Sequence, residues 1–172
     1  MAWEYEIPFF ETEIVQKRVR KNISARSRVP RYHVNLVREG GIWVKEKTLS
    51  EPSAVYELAK EALGDTDREQ MWVICLDVRN KAIGVNLISI GSLSMSVAHP
   101  REVLKVAILL NAASFIIFHN HPSGEAEPSG EDLNLTRRIQ NASKIIGIQM
   151  LDHIIVGYDT YLSIFTNYSE FK

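Results

Sequence analysis

The spacing of apolar residues changes repeatedly along the chain. "SEPSAVYELAKEAL", residues 50–63, carries Val55, Leu58, Ala59 and Ala62 at helical spacing behind Ser/Pro start signals, so it predicts a helix. "QMWVICLDV", 70–78, is apolar on both alternating faces and predicts a central strand. "RNK" turns the chain into "AIGVNLISIGS", a second strand. "HPREVLKVAILLNAA", 99–113, has Pro100 near its start and is apolar around most of its girth, which predicts a well-buried helix. "FIIF", 115–118, is a further buried strand. "SGEDLNLTRRIQNASKIIG" is amphipathic, with Leu135, Ile139, Ala142 and Ile146 on one stripe and Gly147 to end it. "IQMLDHIIVG" and "TYLSIF" read as final strands. Helices and strands alternate, so the class is α/β or α+β, a mixed β-sheet covered by helices.

Residues 1–49 differ. They form an irregular extension in which "RYHVNLVREGGIWVKEKT" has the alternation of two short strands around Gly40-Gly41. This apolar, strand-like extension is consistent with a homodimer. Residues 50–172 form the main domain.

Composition changes this picture little: 172 residues, 45% hydrophobic and 24% charged, suit an ordinary globular chain with a core. One cysteine excludes a disulfide framework and a Cys-based zinc site, and fits a reducing, cytoplasmic setting. No apolar run approaches the ~20 residues that span a bilayer. "MAWEYEIPFFETE" is too acidic for a secretory signal. Charge adds more. Between Ile14 and Arg38 lie eight basic residues, among them Lys17, Arg18, Arg20 and Lys21, and no acid. The remaining chain has 12 basic and 21 acidic residues, a net of −9. The basic segment either binds DNA or another polyanion, or docks on the acidic remainder.

The chemistry concentrates in "FIIFHNHPSGEAEPSGEDLNLTRRI", 115–139. Side chains at i and i+2 of an extended segment point the same way. His119 and His121 extend the FIIF strand, and Pro122 biases His121 toward extended backbone. Their imidazoles can converge just beyond the sheet. Asp132 opens the next helix, after a loop able to fold back. Two imidazoles, a carboxylate and a fourth position for water make a catalytic zinc pattern. Ser129 and Asp132 equally satisfy an S-x-x-D helix cap, which requires no metal.

The complete spacing, H-x-H-x7-S-x2-D, resembles the JAMM motif of the JAB/MPN metallopeptidases. "HNHPSG" with "PSGED", preceded by "HPRE" and followed by "LDHIIVG", resembles the RadC branch more narrowly, over about residues 50 to 166. The resemblance implies a three-layer architecture like that of cytidine deaminases. It implies zinc held by His119, His121 and Asp132, with Ser129 stabilising an oxyanion. Glu69, at the mouth of the 70–78 strand, matches the upstream general base, with Asp65 and Asp67 as neighbouring carboxylates. Asp152 and His153 match the family's "DH" and imply either support for the ligands or an ordinary hydrogen-bonded pair. The implied substrate is a protein or peptide, cleaved at a peptide or isopeptide bond.

Other chemistries fail. The letters of an HNH nuclease lie far apart, not contiguous. A zinc nucleobase deaminase needs P-C-x-x-C, and Cys75 is the sole cysteine. H-E-x-x-H is absent. Three classes remain: a zinc hydrolase, a DNA-repair-associated nucleic-acid binder, and a metal-holding scaffold without turnover. RadC-like proteins often carry a helix-hairpin-helix module, and none is visible in residues 1–50.

Overall fold

A computed structural model describes residues 29–44, 48–91 and 98–171. The chain divides into two units, Met1–Val37 and Arg38–Lys172. In the first, residues 29–37 are exposed and carry neither helix nor strand. Lys17, Arg18, Arg20 and Lys21 lie outside the described residues. The hairpin expected around Gly40-Gly41 does not form among the described residues: 29–44 contain no strand, and only Thr48 makes an isolated antiparallel bridge, to Lys81. Tyr32, Val34, Leu36 and Trp43 remain exposed. Alternation alone does not make a strand; a two-stranded ribbon without a face to pack on is marginal in water.

Helix α1 (Pro52–Leu63) has Pro52 in its first turn. Its N-cap is Glu51 rather than Ser50, and no side chain caps it. Strands β1 (Gln70–Leu76), β2 (Ala82–Ile90), β3 (Ser114–Asn120), β4 (Gln149–Val156) and β5 (Tyr161–Ser163) form one mixed sheet in the order β2-β1-β3-β4-β5. All pairings are antiparallel except β3–β4.

Strand alternation builds the layers. Ile74, Leu76, Ile116, Phe118, Ile154 and Val156 pack with α1 residues Val55, Leu58 and Ala59. Val73, Cys75, Phe115, Ile117 and Met150 pack on the opposite face against helices α2 (Pro100–Leu109) and α3 (Gly130–Ile146). The result is the expected α+β sheet between helical layers.

Three local expectations shift. α2 buries only the stripe Pro100, Val103, Leu104 and Ala107, while Ile108 is 50% exposed, because a helix on a sheet face meets protein on one side. In α3 the buried stripe is Asp132, Thr136, Ile139 and Ser143, whereas Ile146 is exposed. Thr136 donates to the Asp132 carbonyl at 2.7 Å and Ser143 to that of Gln140 at 2.8 Å, which offsets the cost of burying hydroxyls. Finally, "TYLSIF" is not one strand. Ser163 caps a short helix α4 (Ile164–Asn167) by accepting from the Thr166 N–H at 3.0 Å. As expected, Gly147 ends α3 in the left-handed conformation, φ 80°.

Candidate metal centre

β3 ends in polar residues at positions its period assigns to the core. His119 lies in the strand with no exposed surface. His121 follows on the same side and is half-buried. Asp132 reaches them from the first turn of α3. The three offer ligand atoms that all lie within 4.8 Å of one another, a group that could hold a metal ion. Nε2 of His119 is 2.9 Å from Nε2 of His121 and 3.3 Å from Oδ1 of Asp132; His121 Nε2 is 3.5 Å from Oδ2. Ligands bound tetrahedrally at zinc distances lie about 3.3 Å apart. The donor separations therefore suit a tetrahedrally held metal ion.

The loop between the ligands is held by a glycine. Gly124 has φ +84°, and a Cβ there would collide with the Tyr158 ring. Gly124 N–H donates to the His121 carbonyl at 2.9 Å, and Tyr158 donates its hydroxyl to the Pro122 carbonyl at 3.1 Å. The turn after His121 is thereby joined to the β4–β5 connection.

Proton counting fixes the imidazoles. The single hydroxyl proton of Thr136 goes to the Asp132 carbonyl, so its oxygen must accept from His153 Nδ1–H, 2.6 Å away. His153 Nε2 is then an acceptor, and it faces His119 Nδ1 at 2.8 Å, which must donate. His121 Nδ1 donates to the Glu125 carbonyl at 2.8 Å. In their neutral forms both ligand imidazoles consequently aim bare Nε2 lone pairs into one point. Lone pairs facing at 2.9 Å beside a carboxylate repel unless a proton or a cation lies between them.

The electrostatics agree. Burial resists ionisation of Asp132, but hydrogen bonds to His119 and then His121 outweigh it, holding the carboxyl well below the usual carboxylate range. The hydrogen bond to Asp132 raises His121 above the ordinary imidazole value, against the opposing effect of burial. Burial pushes His153 well below that value, which keeps it neutral as the relay requires. Cys75, within β1, is pushed up to about 12 by burial and offers no thiolate ligand.

The other expected residues are placed as follows. β1 and β3 pair Met71 with His119, and continuing that register sets Glu69 abreast of His121. Glu69 is half-buried, while Asp65 and Asp67 are exposed. Ser129 is exposed at the N-cap of α3. It forms a full capping box with Asp132, its hydroxyl donating to Oδ2 at 2.6 Å and its backbone N–H at 2.8 Å. The cap and the metal motif are thus one structure. His153 contacts His119 directly. Asp152 instead accepts from Ser163 Oγ at 2.6 Å and from the backbone N–H groups of His153 and Phe165. His99 caps α2 through the Arg101 N–H at 3.2 Å, and exposed Arg101 pairs with Glu102 at 3.1 Å. Two contributors escaped sequence reasoning: Thr136, one helical turn after Asp132, and Asn120, between the two histidines.

Comparison with known proteins agrees with this geometry. Residues 49–169 match the RadC-like JAB domain. A UPF0758 protein of Clostridium acetobutylicum is 46% identical over 116 residues, 67% of this chain and 51% of that protein. A UPF0758 protein of Syntrophomonas wolfei is 50% identical over 111 residues, 64% and 47% of the two chains. One of Methanosarcina barkeri is 42% identical over 120 residues, 70% and 52%. The chain spans about half the length of these curated relatives. By its sequence, fold and cluster of His119, His121 and Asp132, the chain belongs to the RadC-like JAB domain family.

Proposed function

We propose that the domain is a zinc-dependent hydrolase of peptide or isopeptide bonds. The observation that carries this reading is the convergence of two imidazole nitrogens and a carboxylate on one point, close enough to Glu69 for its charge to act on His121. His119, His121 and Asp132 would hold the zinc, a set of the two-histidine, one-carboxylate type that leaves a fourth position open. A bound zinc supplies acidity, bringing a water to a pKa of about 7, and polarises an amide carbonyl. Glu69, whose carboxylate takes no hydrogen bond among the described residues, accepts the proton of the attacking water and returns it to the leaving amine. Ser129 sits at the exposed edge of the site, so its hydroxyl can turn from Asp132 to the developing oxyanion while its backbone N–H keeps hold of Oδ2.

The test is cleavage of a pool of internally quenched peptides and of lysine-linked isopeptides by the zinc-loaded chain. Glu69→Gln should fold and bind about one zinc, yet lose at least about 10²-fold in turnover. Asp65→Asn and Asp67→Asn should stay near the parent. Loss of zinc in Glu69→Gln, or undiminished turnover, would overturn the assignment.

A second reading rests on the charge asymmetry: the basic segment between Ile14 and Arg38 binds DNA, in keeping with a repair-associated role. Duplex binding should then weaken steeply with salt and be lost on deletion of residues 1–31. Absence of binding at low salt in the full chain would end this reading. Among the described residues no helix is long and apolar enough to cross a membrane.

A further inference from the structure

β1 and β3 stop pairing through their backbones at Met71 and His119. Beyond that point the chain carrying Glu69 has no strand neighbour to hold it on this side. The gap is filled by a side chain. Asn120, at the end of β3 and 8% exposed, accepts from the Gln70 backbone N–H through Oδ1 at 2.8 Å. Its Nδ2 donates to the Arg68 carbonyl at 3.0 Å. The two bonded groups straddle one residue, Glu69. The carboxamide thus reproduces what a strand backbone would offer, one acceptor and one donor. From the other side Gly91 N–H donates to the Glu69 carbonyl at 2.8 Å. The backbone of Glu69 is held on both sides, while its carboxylate acts on His121 through its charge.

We infer that Asn120 is the positioning residue for Glu69, locking the backbone from which the carboxylate reaches the water at the metal centre. The inference rests on the general-base reading above. It gives the middle letter of His-Asn-His a task distinct from those of its neighbours: the histidines look toward the metal, and the asparagine ties the base to the same strand. The two histidines and the base are then tied to one strand, and their separation is set by β3 rather than by a loop. Aspartate offers the acceptor but, ionised, no donor; alanine offers neither; glutamine is one methylene too long.

The experiment has two arms. The first needs no substrate. In the zinc-loaded chain, Asn120→Ala should raise amide exchange at Gln70 by roughly 10-fold. Exchange at Ile74, mid-strand, should not change. Asn120→Asp should keep Gln70 protected, a contrast that general destabilisation would not produce. Unchanged exchange at Gln70 in Asn120→Ala overturns the clamp whatever the activity.

The second arm measures cleavage of the same quenched-peptide pool. Asn120→Ala should retain about one zinc and a near-parent KM, while kcat falls about 10- to 10²-fold. In a Glu69→Gln background it should cost almost nothing further, because Asn120 acts only through Glu69. Equal loss in both backgrounds, or loss of zinc, overturns the positioning role. If Glu69→Gln alone leaves kcat intact, the base assignment has failed, and the role of Asn120 falls with it even if its clamp on Gln70 stands.

Discussion

Phe118 and His119 are neighbours in β3, both without exposed surface, and they point to opposite sides of the sheet. On one side Phe118 stacks against Trp72, ring centroids 6.1 Å apart and planes 3° from parallel, within the apolar layer under α1. On the other, the apolar run of Phe115 and Ile117 gives way to His119, and across from it α3 contributes Asp132 and Thr136 instead of aliphatic residues. Both positions are equally dry. One gains by removing hydrocarbon from water; the other tolerates imidazole only because every ring nitrogen has an assigned partner or a cation to meet. The sheet is thus apolar core on both faces, and at the end of β3 the core of one face gives way to a buried polar cluster that packed strands hold in place.

The contrast can be broken most severely at this pair. Phe118→Ala should cost about 3–5 kcal/mol of stability while the folded fraction keeps its zinc. His119→Ala should abolish zinc binding. Equilibrium unfolding of the metal-free proteins, paired with metal analysis of the folded ones, checks both. Loss of zinc in folded Phe118→Ala would show that the two faces are not separable.

A smaller effect should follow from Thr136→Val, which keeps the side-chain shape but removes the acceptor for His153 Nδ1–H. His153 is then free to turn its tautomer over and present N–H to His119. Zinc affinity should fall roughly 10- to 100-fold by competition titration against a chelator. An unchanged affinity would mean that the relay does not set the ligand tautomer.

The mildest lever is pH. His121 has its value raised by Asp132, and a metal needs the ring neutral. Zinc affinity should be full above that raised value and decline as pH falls through it, by about 10-fold per unit for one displaced proton. In the metal-free protein the sign reverses. Stability from protonated His121 is present below the ordinary imidazole value and fades as pH rises through the raised one.

These residues also show what a linear sequence discloses. The strands with apolar residues on both faces, β1 and β3, were legible because burial on two sides leaves no ambiguity of period. The cluster of His119, His121 and Asp132 was legible because its spacing joins a strand end to a helix start across one loop. Thr136 was hidden: its partner His153 is 17 residues away, and a threonine in an amphipathic helix ordinarily faces water. Asn120 was hidden more deeply, since the groups it holds lie 50 and 52 residues earlier. Ser163 in "TYLSIF" was misread because capping competes with a β-rich composition, and the apolar segment 29–44 because strand propensity cannot supply a partner.

The most direct measurement is zinc stoichiometry with affinity, taken by metal analysis and chelator competition on the full chain and four variants. The parent should bind about one zinc per chain, while His119→Ala, His121→Ala and Asp132→Ala bind essentially none. Ser129→Ala should keep its zinc, since the Ser129 backbone N–H still holds Asp132. A parent chain that takes up no zinc, or histidine variants that bind it as the parent does, would contradict the assignment of this cluster as a metal centre.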